Sequence, residues 1–354
     1  MDFIKENGEL DLAKVDARNY TDFHGLFIEE MDPHLARLML NDTTTIDHPV
    51  METIQNEVNQ SIIRPKLDAD GKPVVITFPR FSEESKSLLK TRIDRLDHEG
   101  RYNIYYSQRS RRGKKVGRFY SNDNLGLTCL ARNMRNTIYQ YKNWIDLDFR
   151  ASHPSLYIQI GKKLRVPTPK LKEWVQDKTP IVKMLSEYHT PKGCTPLLKD
   201  HIKKLVNSAI YGGGIVTWAE ELQSGDLKKN KRPVAISHAS NNTDGHPWYH
   251  ELKKELKTLC DKLVQVNQAL IQRVQKPDVS DPWKHEGTMI SYYLGILENE
   301  CLYHAYQFGV QRNLIQPRKC NLAYDGFTIP PPPPHINIQE ELHLITTTFS
   351  RKLA

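Results

Sequence analysis

No run of about 18 or more apolar residues occurs anywhere in the sequence, so a helical membrane span is excluded. A secretory leader is not expected either: the opening MDFIKENGELDLAKVD is acidic where a signal needs basic charge and then an apolar stretch. Cysteine is scarce. Five residues, Cys129, Cys194, Cys260, Cys301 and Cys320, stand far apart with no CxxC pair, which argues against a disulfide framework and a structural zinc site. The fourteen histidines form no ligand-like cluster, and no internal repeat is visible. A reducing, intracellular setting without membrane contact is the expectation.

What is present is size and basic charge. With 354 residues the chain can build more than one modest core. A net charge of +8 and a pI near 9.0 suggest a polyanionic partner. The distribution is more telling than the total. The first part of the chain is acidic, whereas RYNIYYSQRSRRGKKVGR, residues 101–118, is rich in Arg and Lys and has no carboxylate. Arg111, Arg112 and Arg118 lie in it with Tyr102, Tyr105 and Tyr106 alongside, and basic side chains among aromatics suit phosphate contact with base stacking. A solvated loop is the plain alternative.

Periodicity gives a coarse outline. Residues 1–95 mix short helical patterns with turn signals, and 81–96 (FSEESKSLLKTRIDRL) read as a capped helix. Residues 125–141 are helical in part, with Arg132 and Arg135 on one face. NWIDLDF, 143–149, alternates like a strand and breaks into a turn at RASHPS. Helices are expected over LKEWVQDKTPIVKMLSEY and over PLLKDHIKKLVNSAIYGGG, the latter stopped by its glycines. Residues 222–247 read as a polar loop, 250–274 and 288–307 as helices, and CNLAYDGFTIP as a hairpin ended by the proline run 330–334.

Three short patterns carry chemistry. In the first, Asp146 and Asp148 share one strand face, and a carboxylate at a strand end is well placed to hold a divalent cation. Taken alone, the pattern is equally that of a surface strand with solvated aspartates, and Asp146 reads as structural. In the second, Lys199, Lys203, Asn207 and Tyr211 recur every four residues before Gly212, forming one slanted stripe on a helix. Two lysines there can grip a triphosphate, and Tyr211 can stack on an incoming base or sense its sugar. A basic solvated face would look the same. In the third, Tyr324-Asp325-Gly326-Phe327 offers Asp325 at a tight turn, which by itself is only a turn.

Their order changes the reading. Strand aspartate, basic helix ending in Tyr-Gly, then hairpin aspartate is the order of parts needed for phosphoryl transfer with two metal ions about 3.5–4 Å apart. Asp148, Asp325 and the backbone carbonyl of Phe149 would be the ligands, for magnesium or manganese, with the lysines as a basic clamp.

At these residues the sequence resembles family A DNA polymerases and the related single-subunit phage-type RNA polymerases. DFRASHPSL resembles motif A with its catalytic Asp at Asp148; Lys199, Lys203, Tyr211 and Gly212 match the basic–x3–Lys–x7–Tyr-Gly of motif B; Asp325 sits in a motif C with Tyr324 for the usual His. The likeness is nearer to the divergent family A-like modules of giant-virus, virophage and transpoviron replication proteins. These share an upstream Gly-Arg-x-Tyr, here Gly117 to Tyr120, then a Leu- and Arg-rich stretch with Leu125, Arg132 and Arg135, and a helix before motif C carrying Glu298. The resemblance covers roughly residues 100–330 and implies an α+β right hand with an antiparallel palm sheet, helical fingers and a reduced thumb. The implied divisions are an N-terminal region 1–95, a thumb or template-binding segment 96–140, palm 141–160, fingers 161–285 and palm 286–354. It implies primer extension on DNA with dNTPs, with Lys199, Lys203, Tyr211, His153, Phe149 and Asn207 at the nucleotide. Arg111, Arg112, Arg118, Arg132, Arg135 and Gly212 are implied at the nucleic acid.

There are departures. Lys199 replaces the usual Arg, Asn207 and Ser208 replace an aromatic-Gly pair, and His153 occupies the place of the Glu that blocks a ribose 2′-hydroxyl. No ordered Asp/Glu set precedes motif A, so no proofreading exonuclease is expected, and a replicative helicase would be a separate partner. RNA synthesis or priming by the same fold, a catalytically inactive nucleic-acid-binding palm and, last, a metal-dependent nuclease are the competing readings.

Overall fold

In the computed structural model, the described residues are 3–40, 83–111, 114–225, 233–241, 243–275, 282–323, 326–341 and 343–344. They form an α+β structure with antiparallel sheets. After a short helix α1 (Leu12–Ala17), strand β1 (Gly25–Glu30) pairs with β2 (Arg101–Arg111), and β2 with β3 (Lys114–Ser121). Helices α2 (Pro33–Leu40), α3 (Glu83–Ile93) and α4 (Arg132–Tyr141) accompany this sheet. A second sheet has the order β4-β6-β5, from Ile145–Asp148, Gly326–Ile329 and Asn321–Ala323. Between β4 and β5 come α5 (Ser152–Leu164), α6 (Pro169–Gln176), α7 (Thr179–His189), α8 (Lys199–Ile210), α9 (Ile215–Ser224), α10 (Pro247–Val266), α11 (Gln268–Val274) and α12 (Pro282–Gln311).

Several expectations are refined. In the basic segment, residues 101–111 and 114–118 pair as strands of a β-ribbon. Strand β1 was not anticipated, because GLFIEE is a short apolar run ending in two glutamates, with no apolar–polar alternation, and its inward Glu29 is fully buried. The expected helix after Leu171 is two helices, broken at Asp177-Lys178 with Pro180 opening the second. The turn after Asp148 is short: Ala151 alone adopts a left-handed conformation (φ 49°) and α5 begins at Ser152. Pro154 sits in its first turn, where its missing N–H breaks no helical bond. The hairpin around Gly326 forms as read, and all five cysteines are unpaired.

Two hydrophobic cores divide the molecule. One gathers α5–α11 and the first half of α12 around Tyr157, Trp218, Leu256 and Tyr293. The other holds both sheets against the second half of α12. In it Phe23 meets Phe119, Tyr303 and Tyr306 edge-on with centroids 5.1–5.3 Å apart, the arrangement that favours ring edges over ring faces. Both cores share α12, 30 residues and about 45 Å long. From Tyr293 to Tyr303 it is buried on every side, Glu298, Asn299 and Glu300 included.

A buried polar chain ties the two sheets together. Tyr102 donates to Glu29 Oε2 at 2.6 Å, as does Leu127 N at 2.8 Å. Tyr106 Oη lies 2.7 Å from both Glu29 Oε1 and Asn321 Oδ1, and Asn321 Nδ2 donates to Tyr139. Burial pushes the Glu29 carboxyl up, against the pull of these donors.

β6 crosses β4 so closely that its first residue has to be glycine. A Cβ on Gly326 would run into the Leu147 carbonyl oxygen and come within 2.9 Å of the Asp148 Cα. Gly326→Ala is expected to destabilise the fold by about 1–3 kcal/mol through overpacking against backbone. Urea unfolding followed by circular dichroism measures this; a midpoint equal to wild type would refute it.

Candidate functional site

The strand face of β4 presents Asp146 and Asp148, both exposed, and buries Leu147 between them. Asp146 accepts from Thr328 Oγ1 at 3.2 Å, a cross-strand contact that fits its structural reading. Asp148 stands opposite Gly326 in the antiparallel register. Asp325 precedes Gly326 in the chain; it and Tyr324 lie outside the described residues, as does Arg112. The side chains of Arg111 and Arg132 lie outside them too. Among the described residues no group of three or more His, Cys, Asp or Glu side chains could hold a metal.

α8 forms as the stripe predicts. Lys199 and Asn207 are exposed, Lys203 and Tyr211 half-buried, while Ile202, Leu205, Val206 and Ile210 fill the helical core on the opposite face. The helix ends because Gly212 takes a left-handed conformation (φ 82°), letting Gly213 N donate to Ser208 O at 2.9 Å. α12 packs directly over this end: a Cβ on Gly287 would lie 2.7 Å from the Tyr211 carbonyl oxygen.

Here two sequence patterns meet. Tyr211 Oη is 2.5 Å from His153 Nδ1, with the rings edge to face at 5.7 Å. His153 Nε2 lies 3.1 Å from Arg118 Nη2 and 3.3 Å from Glu298 Oε1. Glu298 has no solvent exposure; it accepts from Arg118 Nε at 2.5 Å and from Ser152 Oγ at 2.6 Å. Burial pushes the Glu298 carboxyl up, but hydrogen bonding with His153, the charges of His153 and Arg118 and the Ser152 hydroxyl outweigh it and hold the group below its ordinary value. His153 thus joins the turn after Asp148 to the helical stripe that ends at Tyr211, and Arg118 is drawn into the same network. Arg135 lies apart, donating to the Thr128 carbonyl at 3.0 Å.

Two cations escaped sequence reasoning. Lys178, in the break between α6 and α7, has its ammonium pushed down, first by burial and then by the charges of Lys203, Lys199 and Arg150. Arg150 donates to the Gln176 carbonyl at 2.6 Å. Cations from two other segments thus act on Lys178, although Lys203 also lies 3.6 Å from Asp200 Oδ1. Arg150 directly follows DLDF and could have been read; Lys178 belongs to no spacing that marks it.

No family model matches the sequence. Putative helicase V13 of Sputnik virophage is similar, 22% identical over 283 residues, covering 79% of this chain and 32% of that protein, so the chain spans about a third of the relative's length. Among solved structures, the POL domain of Pol1 from M. smegmatis, in complex with DNA primer-template and dNTP, has a similar fold. The TM-score is 0.52 at 10% identity, over 92% of this chain and 64% of that one.

Removing the Glu298 carboxylate would leave Arg118 facing a buried void. Glu298→Ala is expected to cost about 3–5 kcal/mol of stability. Since the folded carboxyl titrates below its ordinary 4.5, its stabilisation is complete above that pH and is lost as pH falls toward the folded value. Glu298→Gln should remove this part of the acid sensitivity, measured as the unfolding free energy against pH; an unchanged profile would contradict the assignment.

Proposed function

We propose that the chain is a template-directed nucleotidyltransferase that extends a DNA primer on a DNA template with deoxynucleotides. The observation that carries the reading is the His153–Tyr211 contact, which closes two separate sequence patterns onto the end of the strand bearing Asp148. A fold similar to a polymerase domain over 92% of the chain supports it.

On this reading β4-β6-β5 is the palm, with palm segments 141–160 and 286–354. The helices within 161–285 are the fingers, and the sheet β1-β2-β3 belongs to a thumb or template-binding part within 1–140. Asp148, Asp325 and the Phe149 carbonyl would hold two magnesium or manganese ions: all are hard oxygen donors, and the β4–β6 register sets Asp148 against the residue next to Asp325. Bound there, the ions would lower the pKa of the primer 3′-hydroxyl and neutralise the leaving pyrophosphate. Lys199, Lys203, Lys178 and Arg150 bind and orient the triphosphate, whose charge relieves their mutual repulsion. Asn207 and Tyr211 line the nucleotide's path along the same stripe, Gly212 ends that stripe beside the template, and Tyr211 holds His153 against the sugar. Arg118 steadies His153 from behind; Arg111, Arg112, Arg132 and Arg135 contribute positive potential along the nucleic acid.

The helicase name belongs to a longer relative, of which the similarity covers 32%. This sequence contains no G-x4-G-K-[ST] phosphate loop, so a helicase activity would come from elsewhere.

The test is extension of a labelled primer on single-stranded DNA with Mg²⁺, comparing wild type with Asp148→Asn and Asp325→Asn. Each variant is expected to lose about a thousandfold or more in rate while retaining primer-template binding. No synthesis by wild type with any nucleotide would remove the enzyme reading and leave nucleic-acid binding.

Sugar choice gives a separate prediction. With His153 pinned between Tyr211 and Glu298, a bulky ring blocks the 2′ side of the sugar. His153→Ala is expected to raise the ratio of ribonucleotide to deoxynucleotide kcat/KM by about tenfold or more, from a steric difference of about 1–3 kcal/mol. Wild type that already prefers ribonucleotides would support RNA synthesis by the same fold.

A further inference from the structure

The sheet β1-β2-β3 turns one face to solvent, and large apolar side chains stand on that face among polar ones such as Asn103 and Ser107. Five large hydrophobic side chains are exposed among the described residues; three of them, Leu26 (52%), Tyr105 (45%) and Ile28 (36%), stand together here. The register pairs Leu26 with Tyr105 and Ile28 with Asn103. Tyr120, half-buried opposite Ser107, continues the same face onto β3. The other face is spent on the core: Phe27, Tyr102, Ile104 and Tyr106 are buried there. Of the three tyrosines in the basic segment, therefore, Tyr105 is the one presented outward.

We infer that this face binds unpaired single-stranded DNA, with bases laid on Tyr105, Leu26 and Ile28. The inference deepens the polymerase reading and rests on it only for the identity of the strand as template. Charge decides the class of partner. The sequence stretch 109–117 that leads from β2 to β3 has five Arg or Lys residues and no carboxylate, Arg118 being held by Glu298. At the opposite end, Glu30 is paired with Lys319 at 2.9 Å and Arg101 with Asp97 at 3.0 Å, so positive potential rises toward the ribbon. An acidic protein surface would satisfy the charge but not an outward aromatic and aliphatic platform; a duplex would offer phosphates but hides its base faces. A single strand offers both, stacking on the platform while its backbone follows the basic ribbon. Leu26 and Ile28 are about 7 Å apart along β1, and Tyr105 stands about 5 Å across from Leu26, so the platform is continuous.

Fluorescence anisotropy of the full chain with labelled oligothymidylate of roughly 16 nucleotides, and with a blunt duplex of equal length, tests this. The triple variant Leu26→Thr, Ile28→Thr, Tyr105→Thr keeps strand-forming residues on a solvent face. It is expected to weaken single-strand binding by about tenfold, the low end for losing a stacked base. Its salt slope should be unchanged because no phosphate contact is removed, and duplex binding should be unaffected. In unaltered protein, an oligonucleotide with 5-iododeoxyuridine should photocrosslink to Tyr105. Equal single-strand affinity of variant and wild type, crosslinks confined to other surfaces, or a wild-type dimer that the variant makes monomeric would each overturn the inference. Primer extension and crosslinking by the wild type, measured side by side, separate the two readings. A protein that crosslinks at Tyr105 yet extends no primer keeps the surface and loses the polymerase; one that extends primers without crosslinking there does the reverse.

Discussion

A carboxylate with no solvent exposure in the middle of a helix is among the least tolerable features a fold can carry, and Glu298 is one. It persists because Arg118 from β3 and Ser152 from the start of α5 both donate to it, with His153 alongside. These partners come from positions far apart in the chain, and none could move without stranding the charge. The ion pair therefore fixes a register among three elements that apolar packing alone would leave free to slide. Such a pair contributes little net stability against an apolar replacement, so its effect is better described as specification of geometry than as added strength.

The position of Glu298 along α12 explains its reach. The residues just before it, Ile290 to Leu297, pack into the helical core, and Leu302 to Tyr306 pack into the core of the two sheets. Phe149 touches both cores from the end of β4. The candidate site thus sits where the two cores meet, and α12 is the continuous element through both. Two residues after Glu298, Glu300 repeats the solution at the same junction: Arg18 grips it with two hydrogen bonds, at 3.1 and 2.7 Å, securing the N-terminal segment to the helix.

The parts legible from sequence are those where one local rule decides. The spacing of Lys199, Lys203, Asn207 and Tyr211 forces one helical face; the alternation of IDLD forces a strand with two outward aspartates; Asp-Gly between apolar runs marks a hairpin. The rest depended on partners distant in the chain. Tyr102, Tyr105 and Tyr106 look alike in sequence, yet pleating sends Tyr102 and Tyr106 to Glu29 and leaves Tyr105 outside. β1 escaped notice because its inward acid is acceptable only beside donors some 70 residues away. Arg118 read as a template contact because nothing local announces that Glu298, 180 residues on, will hold it.

Lys178 makes the same point about charge. Its ammonium is partly buried and faces Lys203, Lys199 and Arg150, an arrangement whose every electrostatic contribution opposes the charged form. Folding does not require it: each of these side chains is long enough to swing into water, and a chain selected for stability alone would spread them. On the proposed reading the complement of these cations is an anion, since a polyphosphate would turn the repulsion at Lys178 into a bridged attraction. The asymmetry with the opposite side of the site is consistent with this, because β4 turns its two carboxylates outward while the cations gather around the start of α7 and along α8. If the proposed reading holds, this separation of charge would serve phosphoryl transfer between two oxygens, with cations for the part that leaves and carboxylates for the ions that serve the part that attacks.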